Sequence, residues 1–207
     1  MKKLILVTSP PACGKTFISK ELAKALKHIV YLDKDTIIPL SNKIFEVAHQ
    51  ENNRSSEFFE TYVRDAEYIA IINLALEALD YEDKVLINAP FTREIHDAEY
   101  MQKFKALANG KGADLIVVWV DTDIEVCRQR MITRGSERDT WKLEHWDEYV
   151  ATRDFNLPET LTKEGVVDSL IIFHNSSEEE FEQSMEEIIE NLNSYELSMK
   201  EIAADSE

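Results

Sequence analysis

Residues 4–26 carry three signals in one short stretch. Leu4-Ile-Leu-Val7 is an apolar run of strand character, Thr8-Ser-Pro-Pro-Ala-Cys-Gly-Lys-Thr16 follows as a loop, and Phe17, Ile18, Leu22, Ala25 and Leu26 then recur at helical spacing. A strand that feeds a tight loop ending in Gly-Lys-Thr and opening a helix aims successive backbone N–H groups, and the positive end of a helix, at one anion. Pro10 and Pro11 have no N–H, so the donors would be Ala12, Cys13, Gly14, Lys15 and Thr16. The competing reading is a strand–turn–helix in which Gly-Lys-Thr merely caps the helix. Ser9 adds weight to it, because the pattern G-x-x-x-x-G-K-[ST] has its first glycine there.

The rest of the chain repeats the alternation. Further strand patterns fall at Ile29–Leu32, Lys84–Ile87, Leu115–Val120 and Val167–Phe173. Helical periods fall at Tyr62–Leu79, with Ile69, Ile72, Leu76 and Leu79 on one stripe, and at Ala98–Leu107, Ile124–Thr133 and Glu178–Leu192. Continuous apolar strands separated by helices require a parallel sheet covered on both faces, so the expected fold is a doubly wound α/β domain with five parallel strands. The chain of 207 residues suits one domain. Residues 36–82 are too long for a simple crossover and are expected to form a helical flap beside the sheet edge.

Composition narrows the function classes. Hydrophobic residues make up 44% and charged residues 30%, the balance of a globular chain. No apolar run approaches the roughly 18 residues of a membrane span. The start M-K-K-L-I-L-V imitates a signal peptide, but its apolar part falls short of the roughly 7–15 residues such a segment needs, so it reads as a buried first strand in a cytoplasmic protein. A net charge of −17 repels nucleic acid and anionic membranes and argues against either as a broad-surface partner. Much of that charge lies in the C-terminal helical stretch, which leaves room for a local basic pocket. Cys13 and Cys127 have no metal or redox spacing and read as free thiols.

The stretch T-S-P-P-A-C-G-K-T resembles the loop of the small P-loop kinases, the adenylate, shikimate and gluconate kinase-like group of AAA-type ATP-binding proteins. Their loops often carry proline two residues after the first glycine, where Pro11 stands. Ser9 and Ala12 depart from that pattern. The resemblance implies a P-loop NTPase fold and binding of ATP with Mg²⁺, with Lys15 on the β and γ phosphates and the Thr16 hydroxyl on the metal. The second strand ends Y-L-D-K-D-T, and its D-x-D resembles that of shikimate and gluconate-like kinases. By that likeness Asp33 takes the metal role and Asp35 receives the acceptor's proton, although their order could be reversed. Asp35 could also, or instead, be the N-cap of the helix starting near Thr36.

Three further stretches complete the expected site. V-L-I-N-A-P-F-T-R-E has Asn88 where many relatives have an acidic Walker B residue, and an amide can orient a metal-bound water but cannot neutralise charge. Thr92 and Arg93, just beyond, either face the ligand or, for Thr92, cap a helix. C-R-Q-R-M-I-T-R-G-S-E-R-D-T-W-K resembles the lid of this group, taken as 130–155, with Arg130 and Arg134 one turn apart on a helix that Gly135 ends and Arg138 on the loop after it. The alternative is surface arginines paired with Glu125, Glu137 and Asp139, and Arg128 reads as solvated. F-H-N-S-S-E-E-E-F resembles the adenine-side turn of dephospho-coenzyme A kinase-like members, with Asn175 offering its amide or backbone, while Ser177 and Glu180 form a capping box.

Other candidates are weaker. Trp141, Trp146, Tyr149 and Phe155 read as lid or core packing, and His145 lacks companions at metal spacing. Arg54 and Arg64 in the flap either bind an anionic acceptor or lie on solvated faces. The expected activity is transfer of the γ-phosphoryl group of ATP to a hydroxyl of a small molecule, by a monomer or homodimer. The alternatives are an ATP-binding module or slow ATPase, and a zeta-toxin-like kinase acting on a sugar nucleotide.

Overall fold

The computed structural model describes residues 2–136 and 139–204, with side chains through residue 193. Five strands form one sheet: β1 (Lys2–Thr8), β2 (Val30–Asp33), β3 (Lys84–Asn88), β4 (Ala113–Asp121) and β5 (Ser169–His174). They run parallel in the order β2-β3-β1-β4-β5. The helices are α1 (Lys15–Ala25), α2 (Ile38–Val47), α3 (Arg64–Ala78), α4 (Ala98–Gly110), α5 (Ile124–Arg134), α6 (Thr140–Glu144), α7 (Trp146–Ala151) and α8 (Glu178–Ala204).

The strands alternate between two cores, as the pleat requires. Leu4, Leu6, Val85, Ile87, Leu115 and Val117 meet Tyr68, Ile71 and Ala75 of α3 and Met101 and Phe104 of α4. Ile5, Val7, Leu86, Ile116 and Val118 meet Ile18 and Leu22 of α1, Cys127 of α5, and Ile188 and Leu192 of α8. Each large side chain withdrawn from water contributes about 1.5–3 kcal/mol, so the sheet is sandwiched by two apolar layers, as the continuous strand patterns require. Residues 36–82 add a small cluster of their own around Phe45, Phe59 and Val63.

Two local expectations differ from the structure. The period at 62–79 is split into a π-helical turn, Phe59–Val63, and α3. The buried stripe of α3 is rotated toward Tyr68, Ile71 and Ala75, and Ile69 is 60% exposed. The rotation follows from Arg64 and Glu67, which are buried on that face in ion pairs that a count of apolar residues omits. Phe17 does not join the α1 stripe either. It is exposed, with its ring 5.4 Å from that of Phe181.

Because all strands run the same way, their carboxyl ends share one edge, the place where open α/β sheets hold ligands. The register sets Asp33 opposite Asn88, and Asn88 opposite Val7. The residues following β1, β2 and β3 therefore emerge side by side.

Candidate active site

The loop after β1 is shaped by two left-handed residues, Ala12 at φ 67° and Gly14 at φ 90°. Ser9 is not one of them. It is buried at the strand exit, and its hydroxyl donates to the carbonyl of Pro10 at 2.8 Å. The position is therefore open to serine, whereas Ala12 holds a conformation costing roughly 1–2 kcal/mol. Gly14 is required on two counts: its φ, and a Cβ there would lie 2.5 Å from Nδ2 of Asn175.

The carbonyl of Cys13 fixes the loop from inside. It accepts hydrogen bonds from Thr122 Oγ1 at 3.1 Å, Arg130 Nη1 at 3.3 Å and Asn175 Nδ2 at 2.7 Å. Arg130 also donates through Nη2 to the carbonyl of Asn175 at 2.7 Å. Of the two groups Asn175 was expected to offer, its side-chain amide is buried and committed to the loop. Arg130 reaches the cavity wall, but its guanidinium is engaged by two backbone carbonyls that fix the loop's shape. The turn after β5 has the expected capping arrangement, with Glu180 N–H donating to Ser177 Oγ at 3.1 Å, while the Glu180 carboxylate accepts from the N–H of Ser176 at 2.7 Å.

Beside the loop, Asn88 links the metal-directed candidates. Lys15 Nζ donates to Asn88 Oδ1 at 2.7 Å, and Asn88 Nδ2 lies 3.3 Å from Thr16 Oγ1 and 2.9 Å from Asp33 Oδ2. Asp33 also accepts from Tyr31 Oη at 2.9 Å and from the N–H of Asp35 at 3.0 Å. The cap of the following 3₁₀ turn is thus Asp33, not Asp35, because only the residue at the strand end has its carboxylate over the first free N–H. Asp35 is left with its carboxylate 63% exposed on the cavity wall, 3.7 Å from Lys34. Burial lowers the Lys15 ammonium to about 8, against the opposing pull of Asp35 and Asp33. Burial and the hydrogen bond to Asp33 push the Tyr31 phenol up to about 12.

The other basic candidates are largely paired. Arg134 reaches the cavity, yet its Nε donates to the buried carboxylate of Asp139 at 2.9 Å, and Lys142 donates to the other oxygen of that carboxylate at 2.9 Å. Burial pushes the Asp139 carboxyl up, but Lys142 and Arg134 outweigh it and hold the group below its ordinary value. Arg138 lies outside the described residues. In the flap, Arg54 pairs with the buried carboxylate of Glu67, and Arg64 is buried against Glu94 with contacts of 2.8 and 3.1 Å. Neither lies on a solvated face, and both are committed to carboxylates of the protein. Arg93 pairs with Glu60, and the caps near Thr92 fall elsewhere, on Asp97 for α4. Trp146 and Tyr149 pack together with Met131, whereas Trp141 is exposed and stacks on His145.

These elements enclose an open cavity of about 440 Å³ along the loop, bordered by Pro90 and Thr92 on one side and α5 on the other. Lys15, Arg130, Arg134 and Lys142 bring four cations to its wall, where Asp35 is the carboxylate, and Asp139 behind Arg134 and Lys142 offsets part of their charge. Such a concentration in a chain of net charge −17 focuses potential on an anion. Lys142 was missed in the sequence, although it closes the basic stretch there. Thr122 and Tyr31 carried no signal of their own, since the Cys13 carbonyl and the Asn88 amide reach them only in the fold. Among the described residues no helix is long and apolar enough to cross a membrane.

The strand order, the loop and its helix define a P-loop, kinase-like NTPase fold. The chain belongs to the AAA domain family, whose model matches residues 4–155. No curated protein matches it. Among solved structures it is similar to a protein provisionally named a kinase from Chloroflexus aurantiacus, with TM-score 0.61 and 20% identity over 95% of this chain and 97% of that one. It is similar to a shikimate kinase from Bacteroides thetaiotaomicron, with TM-score 0.50 and 16% identity over 93% and 99%. It also resembles Kti12 of Chaetomium thermophilum, solved with ADP-AlF3, with TM-score 0.52 and 18% identity over 89% and 96%. At these identities the likeness is one of fold.

Proposed function

We propose that the protein is an ATP- and Mg²⁺-dependent phosphotransferase that moves the γ-phosphoryl group to a hydroxyl of a small molecule. The observation that carries this reading is one cavity lined by the Gly14-Lys15-Thr16 loop, a ring of cations, and the exposed carboxylate of Asp35. In this reading the chain is a single domain, with 36–82 as the acceptor-side flap and 130–155 as the lid. The N–H groups of Ala12 to Thr16 hold the phosphates, and Lys15 neutralises them.

The donor set suits Mg²⁺: Thr16 Oγ1 and Asp33 Oδ2 are hard oxygens gathered around one amide nitrogen, and the ion favours a few such ligands plus phosphates and water. Mg²⁺ would supply charge neutralisation at the phosphates. Asp33, held by three donors, keeps a fixed carboxylate, whereas Asp35 is free to meet the acceptor hydroxyl and take its proton. Arg134 and Arg138 would stabilise charge on the transferring group, a role for which arginines contribute about 10³–10⁵ in rate. Arg134 reaches that position by exchanging Asp139 for phosphate.

The test is acceptor-dependent ADP release, measured over a panel of small polyols and hydroxy acids, for wild type, Lys15→Ala and Asp35→Ala. Loss of at least a hundredfold in both variants is expected, and unchanged turnover in either would sink the assignment. A second reading, an ATP-binding module or slow ATPase, is favoured by one observation: the amide of Asn88 brings no negative charge to a metal. It gains if nucleotide binds while no acceptor in the panel yields a phosphorylated product.

A further inference from the structure

Two thiols that lie 114 positions apart in sequence meet inside the fold. Sγ of Cys13 and Sγ of Cys127 are 3.3 Å apart, both free and both buried. One lies in the phosphate loop, and the other lies on the inner face of α5, the helix that carries Arg130 and Arg134. We propose that this pair is a modification site for hydroperoxides, closing reversibly into an intrachain disulfide that ties the loop to α5.

The surroundings assign the two sulfurs different parts. The two thiols share a hydrogen bond, which together with the nearby charge of Arg130 holds the Cys127 thiol below its ordinary value. Cys13 is pushed up by that same hydrogen bond and by burial. Cys127 is therefore the attacking thiolate. It takes the terminal oxygen of hydrogen peroxide as the O–O bond breaks, giving a sulfenic acid and a hydroxide that leaves as water with the proton lost from Cys127. The Cys13 sulfur then attacks the sulfenic sulfur, the S–O bond breaks, and the second hydroxide leaves as water with the Cys13 proton. Two thiols and one peroxide give one disulfide and two waters, and the peroxide is reduced by two electrons.

Only a short movement is needed. A disulfide requires about 2.05 Å between sulfurs, so the pair must draw together by about 1.3 Å. Three hydrogen bonds hold the Cys13 carbonyl, and the closing movement pulls against them. Burial makes access dependent on small oxidants and on openings of the loop, whose neighbouring Ala12 and Gly14 form the cavity wall.

The experiment treats the folded protein with hydrogen peroxide, unfolds it in an alkylating agent, and weighs it. We expect monomer lighter by two hydrogens with no alkyl groups added, a cross-linked Cys13–Cys127 peptide without reductant, and both thiols regained with dithiothreitol. Cys13→Ser and Cys127→Ser, checked for folding by circular dichroism, should give no intrachain bridge. The proposal is overturned if both thiols remain alkylatable, if each is oxidised separately to sulfinic acid, or if the bridge joins two chains. The bridged form should also bind Mg-ATP at least tenfold more weakly, recovering on reduction, and equal affinity would overturn the tie between loop and helix. The affinity of the reduced protein separates that outcome from a failure of the phosphate reading, and formation of the disulfide does not depend on that reading.

Discussion

Replacing Lys15 by methionine should make the ligand-free protein more stable. The ammonium is lowered from 10.5 to about 8, chiefly by burial, so its charge is carried at a cost in the fold at neutral pH. That difference corresponds to about 3.5 kcal/mol, at about 1.4 kcal/mol per pH unit. Lys15 is only partly withdrawn from water, and its hydrogen bond to Asn88 contributes about 1 kcal/mol in the other direction. The net expectation for Lys15→Met is a gain of about 2 kcal/mol at pH 7, read by urea denaturation. The sign can be followed with pH. Between about 8 and 10.5 the unfolded chain binds more protons at this site than the folded one, so wild-type stability rises with pH there relative to the variant. The variant's advantage should be full below about pH 8 and gone above 10.5. A variant that is less stable at pH 7, or an advantage that does not shrink by pH 10, would refute the burial argument.

Arg64→Met leaves the buried Glu94 carboxylate without its partner and should cost about 3–5 kcal/mol in chemical denaturation. Adding Glu94→Leu should recover most of it, and a single variant within 1 kcal/mol of wild type would contradict the pairing. Gly14→Ala sets a Cβ against the Asn175 amide at a left-handed position, so nucleotide binding measured by calorimetry should be lost while the circular dichroism of the sheet persists. Full binding by that variant would show that the loop adopts another shape.

What could be read in advance was whatever is local. The five apolar runs located all five strands to within a few residues, because a strand buried on both faces needs an unbroken apolar stretch. Gly135 closes α5 at φ 58°, as its place after the arginines implied. What escaped was pairing across the fold. Arg134 and Asp139 stand five residues apart and are legible as possible partners, but nothing near Asn175 signals that its amide serves the carbonyl of Cys13. The same blindness hid Glu67, a flap carboxylate that burial pushes up but that Arg54, Ser41 and Lys34 together hold below its ordinary value. It also hid the sulfur contact, since two cysteines with no spacing motif read as unrelated thiols.

The clamp on the Cys13 carbonyl also sets an order of events. Its donors, Thr122, Arg130 and Asn175, stand 109, 117 and 162 positions downstream. Translation makes the loop residues well before the side chains that hold them, because every one of those donors follows by more than 100 residues. β1 waits as well, because its two neighbours in the sheet are β3 and β4. The nascent protein therefore holds its Gly-Lys-Thr stretch without a socket until the fifth strand and the turn behind it have been synthesised.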